Sequence, residues 1–268
     1  MRHRISAFVK FYRSAKVVYD LHSPTAYRFA ARVLEDRRWY YRFDEVEALR
    51  KKLLKDQSEL PPTDFGAGSK TPKRRIAEVA RHAAAPPALG RMLFRTALLQ
   101  RPRTILELGT SLGISALYLT GGALQARFRS IEGNPLLAQR AQAHLDAFKV
   151  HDAKVFCGAF RQMLPAACAE LGQIDLAYID GDHRYEATLE LFESLLPHLS
   201  ENALLIFDDI HWSPGMSRAW EAIARHPQVR LSIDTFRAGF AFFGQHLRVK
   251  QHLALVPRVW KPWRMGFL

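Results

Sequence analysis

The 268-residue chain has only two cysteines, Cys157 and Cys168. Set eleven positions apart, they offer neither a CxxC motif nor metal-finger spacing. A disulfide framework and a thiolate metal site are therefore excluded, and two reduced thiols are expected. No apolar run approaches the ~18 residues that a bilayer-spanning helix needs. The N-terminal stretch MRHRISAFVKFYRSAK is basic but builds no continuous apolar core, which argues against a secretory signal and for a cytoplasmic location. There is no internal repeat and no low-complexity tract. With 48% hydrophobic and 24% charged residues, long disorder and collagen-like structure are excluded as well.

Acidic residues are the scarcer charge, 26 against 39 Lys and Arg, giving a formal net charge of +13. The surplus is uneven. Residues 1–104 hold 23 basic and 10 acidic side chains, and residues 245–268 hold 5 basic and none acidic. Residues 105–244 hold 11 basic and 16 acidic. The central block is thus mildly acidic, unlike a surface built to bind a phosphate backbone.

That block alternates short apolar runs with helix-like segments, the pattern of an α/β fold with a largely parallel sheet. Strands are predicted at 104–108, 127–131, 154–157, 175–179, 203–207, 229–235 and 239–243, and helices at 115–121, 134–148, 184–199 and 217–226. The last two strands follow one another through a turn at Arg237–Gly239, so they are predicted as an antiparallel hairpin at the sheet edge. The expected fold is a Rossmann-like, seven-stranded, mostly parallel sheet with an antiparallel last strand, flanked by helices. An N-terminal helical extension precedes it, with helices at 25–35, 43–55, 74–85 and 87–100. Domain boundaries are expected at 1–100 for this extension or cap, 101–256 for the α/β domain and 257–268 for a basic, aromatic, irregular tail.

The strongest local signal is Glu107-Leu108-Gly109-Thr110-Ser111-Leu112-Gly113, a strand ending in an acid, then a small-residue turn, then a helix. Glycines at 109 and 113 permit a tight turn and a close approach of ligand to main chain. A dinucleotide site needs G-x-G-x-x-G, whereas the spacing here is G-x-x-x-G behind a carboxylate. Glu107 would repel phosphates and suits a ligand carrying an ammonium and a sulfonium. Glu132 closes the second strand, where an acid can accept both hydroxyls of a ribose. Either motif alone is compatible with a capping turn and a surface Glu; together they favour an adenosyl ligand. Gly158, after the third strand, joins the expected cofactor set.

The next cluster is Asp180-Gly181-Asp182-His183 after the fourth strand and Asp208-Asp209-Ile210-His211 after the fifth. Ligands of open α/β sheets bind at the carboxyl ends of strands. Carboxylates converging there repel one another unless a cation lies among them, and all-oxygen ligation points to Mg²⁺, Mn²⁺ or Ca²⁺. The competing reading is that these Asp residues cap helices and face solvent. His183 and His211 are candidate bases. Asp64–Ser69 is either a ligand-facing turn or a plain loop, and Lys73-Arg74-Arg75 is either an anion site or a solvated helix start.

With Glu107-x-Gly109-x-Ser111-x-Gly113, an acid after the second strand and an antiparallel final hairpin, residues 100–245 resemble the class I S-adenosylmethionine (SAM)-dependent methyltransferases. The segments IDGDHRYEATLELFESLLPHLS and LLIFDDIHW are similar to the macrocin-type, metal-dependent O-methyltransferases. The catechol-type enzymes end the comparable site in Asp-Asn, where this chain has Asp208-Asp209. With HSP at 22–24, DFGAGS at 64–69 and DDIHWSPGM, the whole chain also resembles a bacterial class I group without an assigned acceptor. These resemblances imply SAM held by Glu107, Gly109, Thr110, Ser111, Gly113, Glu132, Gly158 and Asp180. They further imply a divalent metal, Mg²⁺ foremost, on Asp180, Asp208 and Asp209; the catalytic candidates are Asp180 and, as the base, His183 or His211. The implied reaction is in-line methyl transfer to a hydroxyl oxygen of a small-molecule or glycan-like acceptor, with the metal lowering the hydroxyl pKa. The macrocin-type sugar does not carry over, because residues 1–100 do not match that type.

Two other classes remain open. One is a nucleic-acid methyltransferase using the basic N-terminal region, although no Asn/Asp-Pro-Pro-Tyr/Phe motif for a flipped amine is present. The other is a non-catalytic adenosyl-binding module. The Trp260/Trp263 tail with Arg258, Lys261 and Arg264 is compatible with peripheral membrane contact or with packing on the sheet edge. Oligomeric state leaves no mark in the sequence.

Overall fold

The computed structural model describes residues 2–60 and 74–264. The 64–69 turn and Lys73 lie outside the described residues. The chain is a mixed α/β fold with a mostly parallel sheet flanked by helices, and it divides into two compact units, residues 38–172 and residues 1–37 with 173–268.

In chain order, α1 (Arg2–Ser14) and α2 (Pro24–Phe29) open the second of these units. Ser23 caps α2 through its hydroxyl, which accepts the Ala26 N–H, and Pro24 occupies the first turn, where its missing N–H costs nothing. A π-turn, Ala30–Leu34, extends α2 to the expected end.

Residues 38–172 follow with α3 (Tyr41–Leu53), a two-residue antiparallel pair β1 (Glu59–Leu60) and β2 (Arg74–Arg75), α4 (Ile76–His82) and α5 (Pro87–Gln100). Three βα repeats complete this unit: β3 (Thr104–Leu108), α6 (Ile114–Gly122), β4 (Arg127–Glu132), α7 (Pro135–Ala147), β5 (Ala153–Cys157) and α8 (Phe160–Leu171). All of β3 is buried, and β3, β4 and β5 run parallel in that order. Helix α8 was not expected from the sequence, because Pro165 interrupts an otherwise apolar pattern at its sixth position.

Helices α5 and α6 approach so closely that a methyl on Gly122 would lie 2.2 Å from the Phe94 carbonyl oxygen. Backbone cannot yield as a flexible side chain can, so Gly122→Ala is expected to destabilise this unit by about 1–3 kcal/mol, read as a lower urea midpoint. Beneath these helices Phe43 packs edge-on against Phe94 at 4.9 Å, and the buried Tyr118 donates its hydroxyl to Glu47 at 2.7 Å.

The remaining elements are β6 (Ile174–Ile179), α9 (Tyr185–Leu195), β7 (Leu199–Asp208), α10 (Pro214–Arg225), β8 (Leu231–Asp234), β9 (Ala238–Phe242) and β10 (Gln251–Ala254). Strand β6 pairs parallel with β7, β7 antiparallel with β9, β9 antiparallel with β8, and β8 parallel with β10. The hairpin expected from the sequence is β8–β9. It does not form the edge, because β10 lies outside β8. The three strands of one unit and these five make eight where the sequence pattern predicts seven. The extra strand, Gln-His-Leu-Ala, is short, partly exposed and without alternation, so no pattern announces it.

The tail forms two short 3₁₀ turns, Arg258–Trp260 and Pro262–Arg264, tied to α1 and α2. The Arg258 N–H donates to Glu35, the Tyr12 hydroxyl to the Trp260 carbonyl, and the buried Lys261 ammonium to the Ala15 carbonyl. Among the described residues, no helix is long and apolar enough to cross a membrane.

Candidate active site

Strand β3 delivers Glu107 into the interior with its side chain fully buried. Among the described residues, neither of its carboxylate oxygens has a hydrogen-bond partner. Burial pushes its carboxyl up to about 8, the nearby Glu132 adds to the rise, and the Ser115 hydroxyl opposes it. A buried acid with no closer donor than that hydroxyl is costly to ionise, and a cationic ligand removes that cost. The Ser111 hydroxyl, beside it in the turn, is likewise buried and without a partner among the described residues.

The turn itself is built from left-handed backbone. Gly109 (φ +95°), Ser111 (φ +49°) and Gly113 (φ +79°) alternate with ordinary residues, and Gly113 caps α6. Ser111 is the strained member, since L side chains disfavour this region. The turn is held from three sides. The Gly109 N–H donates to the Ile131 carbonyl at 3.0 Å, the Thr110 hydroxyl to Ser130 at 2.7 Å, and the Gly113 N–H to the Thr110 carbonyl at 2.8 Å.

Glu132 anchors this assembly. One carboxylate oxygen accepts the Ser111 N–H at 2.7 Å and the other the Asn134 N–H at 2.9 Å. These N–H groups favour the anion, although burial outweighs them and raises the carboxyl. Sequence reasoning assigned Glu132 to a ribose. The structure adds a second duty, locking the turn after β3 to the turn after β4. The Gly133 N–H supports the same anion, and the carboxylate keeps a lone pair for a ligand hydroxyl. The Gly158 N–H donates to the Glu132 carbonyl at 2.9 Å, and at φ +150° a methyl there would lie 2.9 Å from Met163. Glu107, Gly109, Thr110, Ser111, Gly113, Glu132 and Gly158 thus converge in one unit. An orphaned acid, an orphaned hydroxyl and a glycine-lined turn fit the cationic adenosyl ligand that the sequence implies.

The second set belongs to the other unit. Asp180 follows β6, with the Tyr178 hydroxyl donating to it at 3.4 Å and His183 Nε2 lying 3.6 Å from its Oδ1. Asp182 turns away to a two-point pairing with the exposed Arg184 at 2.5 and 2.6 Å. Asp208, buried at the end of β7, is gripped by Arg237, whose Nε and second guanidinium nitrogen donate at 2.9 and 3.0 Å. Asp209, in left-handed backbone at φ +50°, lies 3.3 Å from the same Nε. Burial and the adjacent Asp208 raise its carboxyl, against the pull of Arg237.

His211 lies elsewhere in this unit. Its Nε2 meets Asp234 at 2.8 Å, its Nδ1 meets the Ser217 hydroxyl at 3.1 Å, and its ring stacks on Phe236. It lines a groove of about 470 Å³ between α1 and α10 that also includes His3, Ser217 and His252. Both ring nitrogens are engaged, whereas those of His183 are not so fixed.

The expected metal set does not fit. Both oxygens of Asp208 face a guanidinium, and the same cation lies against Asp209, so a dication there would meet a fixed positive charge. Among the described residues no group of three or more His, Cys, Asp or Glu is arranged to hold a metal ion. Arg237 is the site residue that the sequence did not reveal, because its partner is set by pairing between β7 and β9.

Residues 106–210 match the family described as a methyltransferase domain. The match covers under half of the chain and supports a methyltransferase domain of the class I, SAM-dependent kind. No curated protein sequence matches the chain. Solved structures share the fold. An O-methyltransferase from Bacillus cereus in complex with SAH is 20% identical, with 77% of this chain and 92% of that one covered at a TM-score of 0.54. The O-methyltransferase TomG from Streptomyces achromogenes, involved in tomaymycin synthesis and in complex with SAM, is 18% identical, with 81% and 94% covered at 0.55. The SAH-bound methyltransferase PaMTH1 from Podospora anserina is 16% identical, with 84% and 97% covered at 0.58.

Proposed function

We propose that the methyltransferase acts on oxygen, methylating an acidic hydroxyl of a small-molecule acceptor. The observation that carries the cofactor half is the buried, partnerless Glu107 behind a glycine turn that Glu132 locks in place. When bound, SAM supplies an electrophilic methyl group, whose carbon–sulfur bond breaks as a carbon–oxygen bond forms. The chain's own task is then to bind, align and remove one proton.

For the acceptor half, His183 is the base. Its Nδ1, the ring nitrogen away from Asp180, takes the hydroxyl proton, and Asp180, 3.6 Å from Nε2, stabilises the imidazolium that results. An imidazole matches a phenol-like acceptor, with an ordinary pKa of about 10, far better than an aliphatic alcohol closer to that of water, about 15.7. Two solved structures sharing the fold carry the name O-methyltransferase, which accords with this choice. Glu132 is assigned the ribose hydroxyls.

The test is transfer of labelled methyl from SAM to a panel of phenols and catechols, run beside matched anilines and a structured RNA. Label is expected on the hydroxyl compounds alone. Label confined to amines or to RNA overturns the reading.

A further inference from the structure

The carboxylate pair that ends β7 is where a related metal enzyme would seat its cation, and in this chain a side chain already supplies the positive charge. Three independent features put it there. The first is register: Asp208 lies opposite Ala238 across β7 and β9, so Arg237 is the next residue along, beside the carboxylate by backbone pairing alone. The second is the turn. Phe236 in left-handed backbone at φ +70° donates its N–H to Asp234 at 2.6 Å, and the Thr235 hydroxyl donates to the Ala238 carbonyl at 2.8 Å. The hairpin is fastened on both sides of Arg237. The third is burial: Asp208 is 1% exposed, so its charge must be neutralised from within, and a two-point guanidinium contact does so with matched geometry.

We propose that Arg237 takes the place of the divalent cation at Asp208 and Asp209, leaving this chain without a metal at that position. A fork of donors replaces a point charge. It satisfies Asp208 through two directed hydrogen bonds and lies 3.3 Å from Asp209, so it disfavours a dication by repulsion and by taking up Asp208 lone pairs that would ligate it. Asp180, just after the neighbouring strand β6, is then the partner of His183 rather than a ligand.

The experiment is titration of the full chain with MnCl₂, following free Mn²⁺ by electron paramagnetic resonance, for wild type, Arg237→Met and Arg237→Met/Asp208→Asn. Wild type is expected to show no site below about millimolar dissociation constant, the weak range of carboxylate sites. Arg237→Met, which keeps the aliphatic stem, is expected to bind Mn²⁺ at least about tenfold more tightly than wild type, because carboxylate charge is uncovered. The double variant should lose that gain. One Mn²⁺ per wild-type chain that disappears in Asp209→Asn overturns the proposal, and so does a folded Arg237→Met with no gain. Should Arg237→Met fail to fold by circular dichroism, the wild-type and Asp209→Asn titrations still decide. SAH binding, measured in parallel, reports separately on the cofactor site.

Discussion

Glu107→Gln is expected to weaken SAM binding by about 10- to 100-fold, the loss of a charge-assisted contact of roughly 1.5–3 kcal/mol. The same substitution is expected to stabilise the ligand-free protein at alkaline pH. The carboxyl titrates near 4.5 when unfolded and near 8 in the native interior. Between those values the native state holds a proton that the unfolded state has released, so native stability falls as pH rises from 4.5 to 8. Above 8 the whole cost is present, and below 4.5 it is absent. At about 1.4 kcal/mol per pKa unit the cost reaches a few kcal/mol. Thermal melts of wild type and Glu107→Gln should therefore coincide near pH 4 and separate at pH 9, with the variant the higher. A variant that is less stable than wild type at pH 9 would show that the carboxylate is satisfied by the protein itself.

His183→Ala is expected to reduce kcat by about 10²- to 10⁴-fold, the usual contribution of a positioned base. The KM for SAM should stay within about twofold if, as proposed, His183 serves the acceptor and Glu107 and Glu132 the cofactor. A loss caused by misfolding would be uniform across acceptors. A lost base would not be: a nitrophenol, already ionised near neutral pH, should recover most of the rate, while an ordinary phenol should recover little. His211→Ala, whose ring lies between Asp234 and Ser217, is expected to leave that acceptor dependence unchanged. An equal loss on both phenols removes His183 from the role.

Much of this architecture is legible in the sequence, for identifiable reasons. Strand β6 and the 203–207 part of β7 are nearly all apolar because they are buried on both faces, and a continuous apolar run between helical patterns is visible without any partner. The cap Asn134 and Pro135 announce α7, and its Oδ1 indeed accepts the Leu136 and Leu137 N–H groups. Helix α8 is hidden by Pro165, and β10 by having neither length nor alternation. The candidate site divides in the same way. Glu107, Gly109, Gly113 and Glu132 lie within about 30 residues and share one local grammar. Arg237 lies 29 residues beyond Asp208, in a turn whose composition says nothing of its partner. Only the register of β9 against β7 reveals that a carboxylate pair resembling a metal site already carries its cation.

The central claim is that the β3 turn, with Glu107 beneath it, is the SAM site. Calorimetric titration of SAM into the wild-type chain from pH 6 to pH 9 tests it most directly. One site per chain is expected, its affinity rising with pH until it levels off above about 8, as Glu107 loses its proton. Glu107→Gln should bind weakly and show no such rise. No binding at any pH, or equal binding with and without the Glu107 carboxylate, would contradict the account.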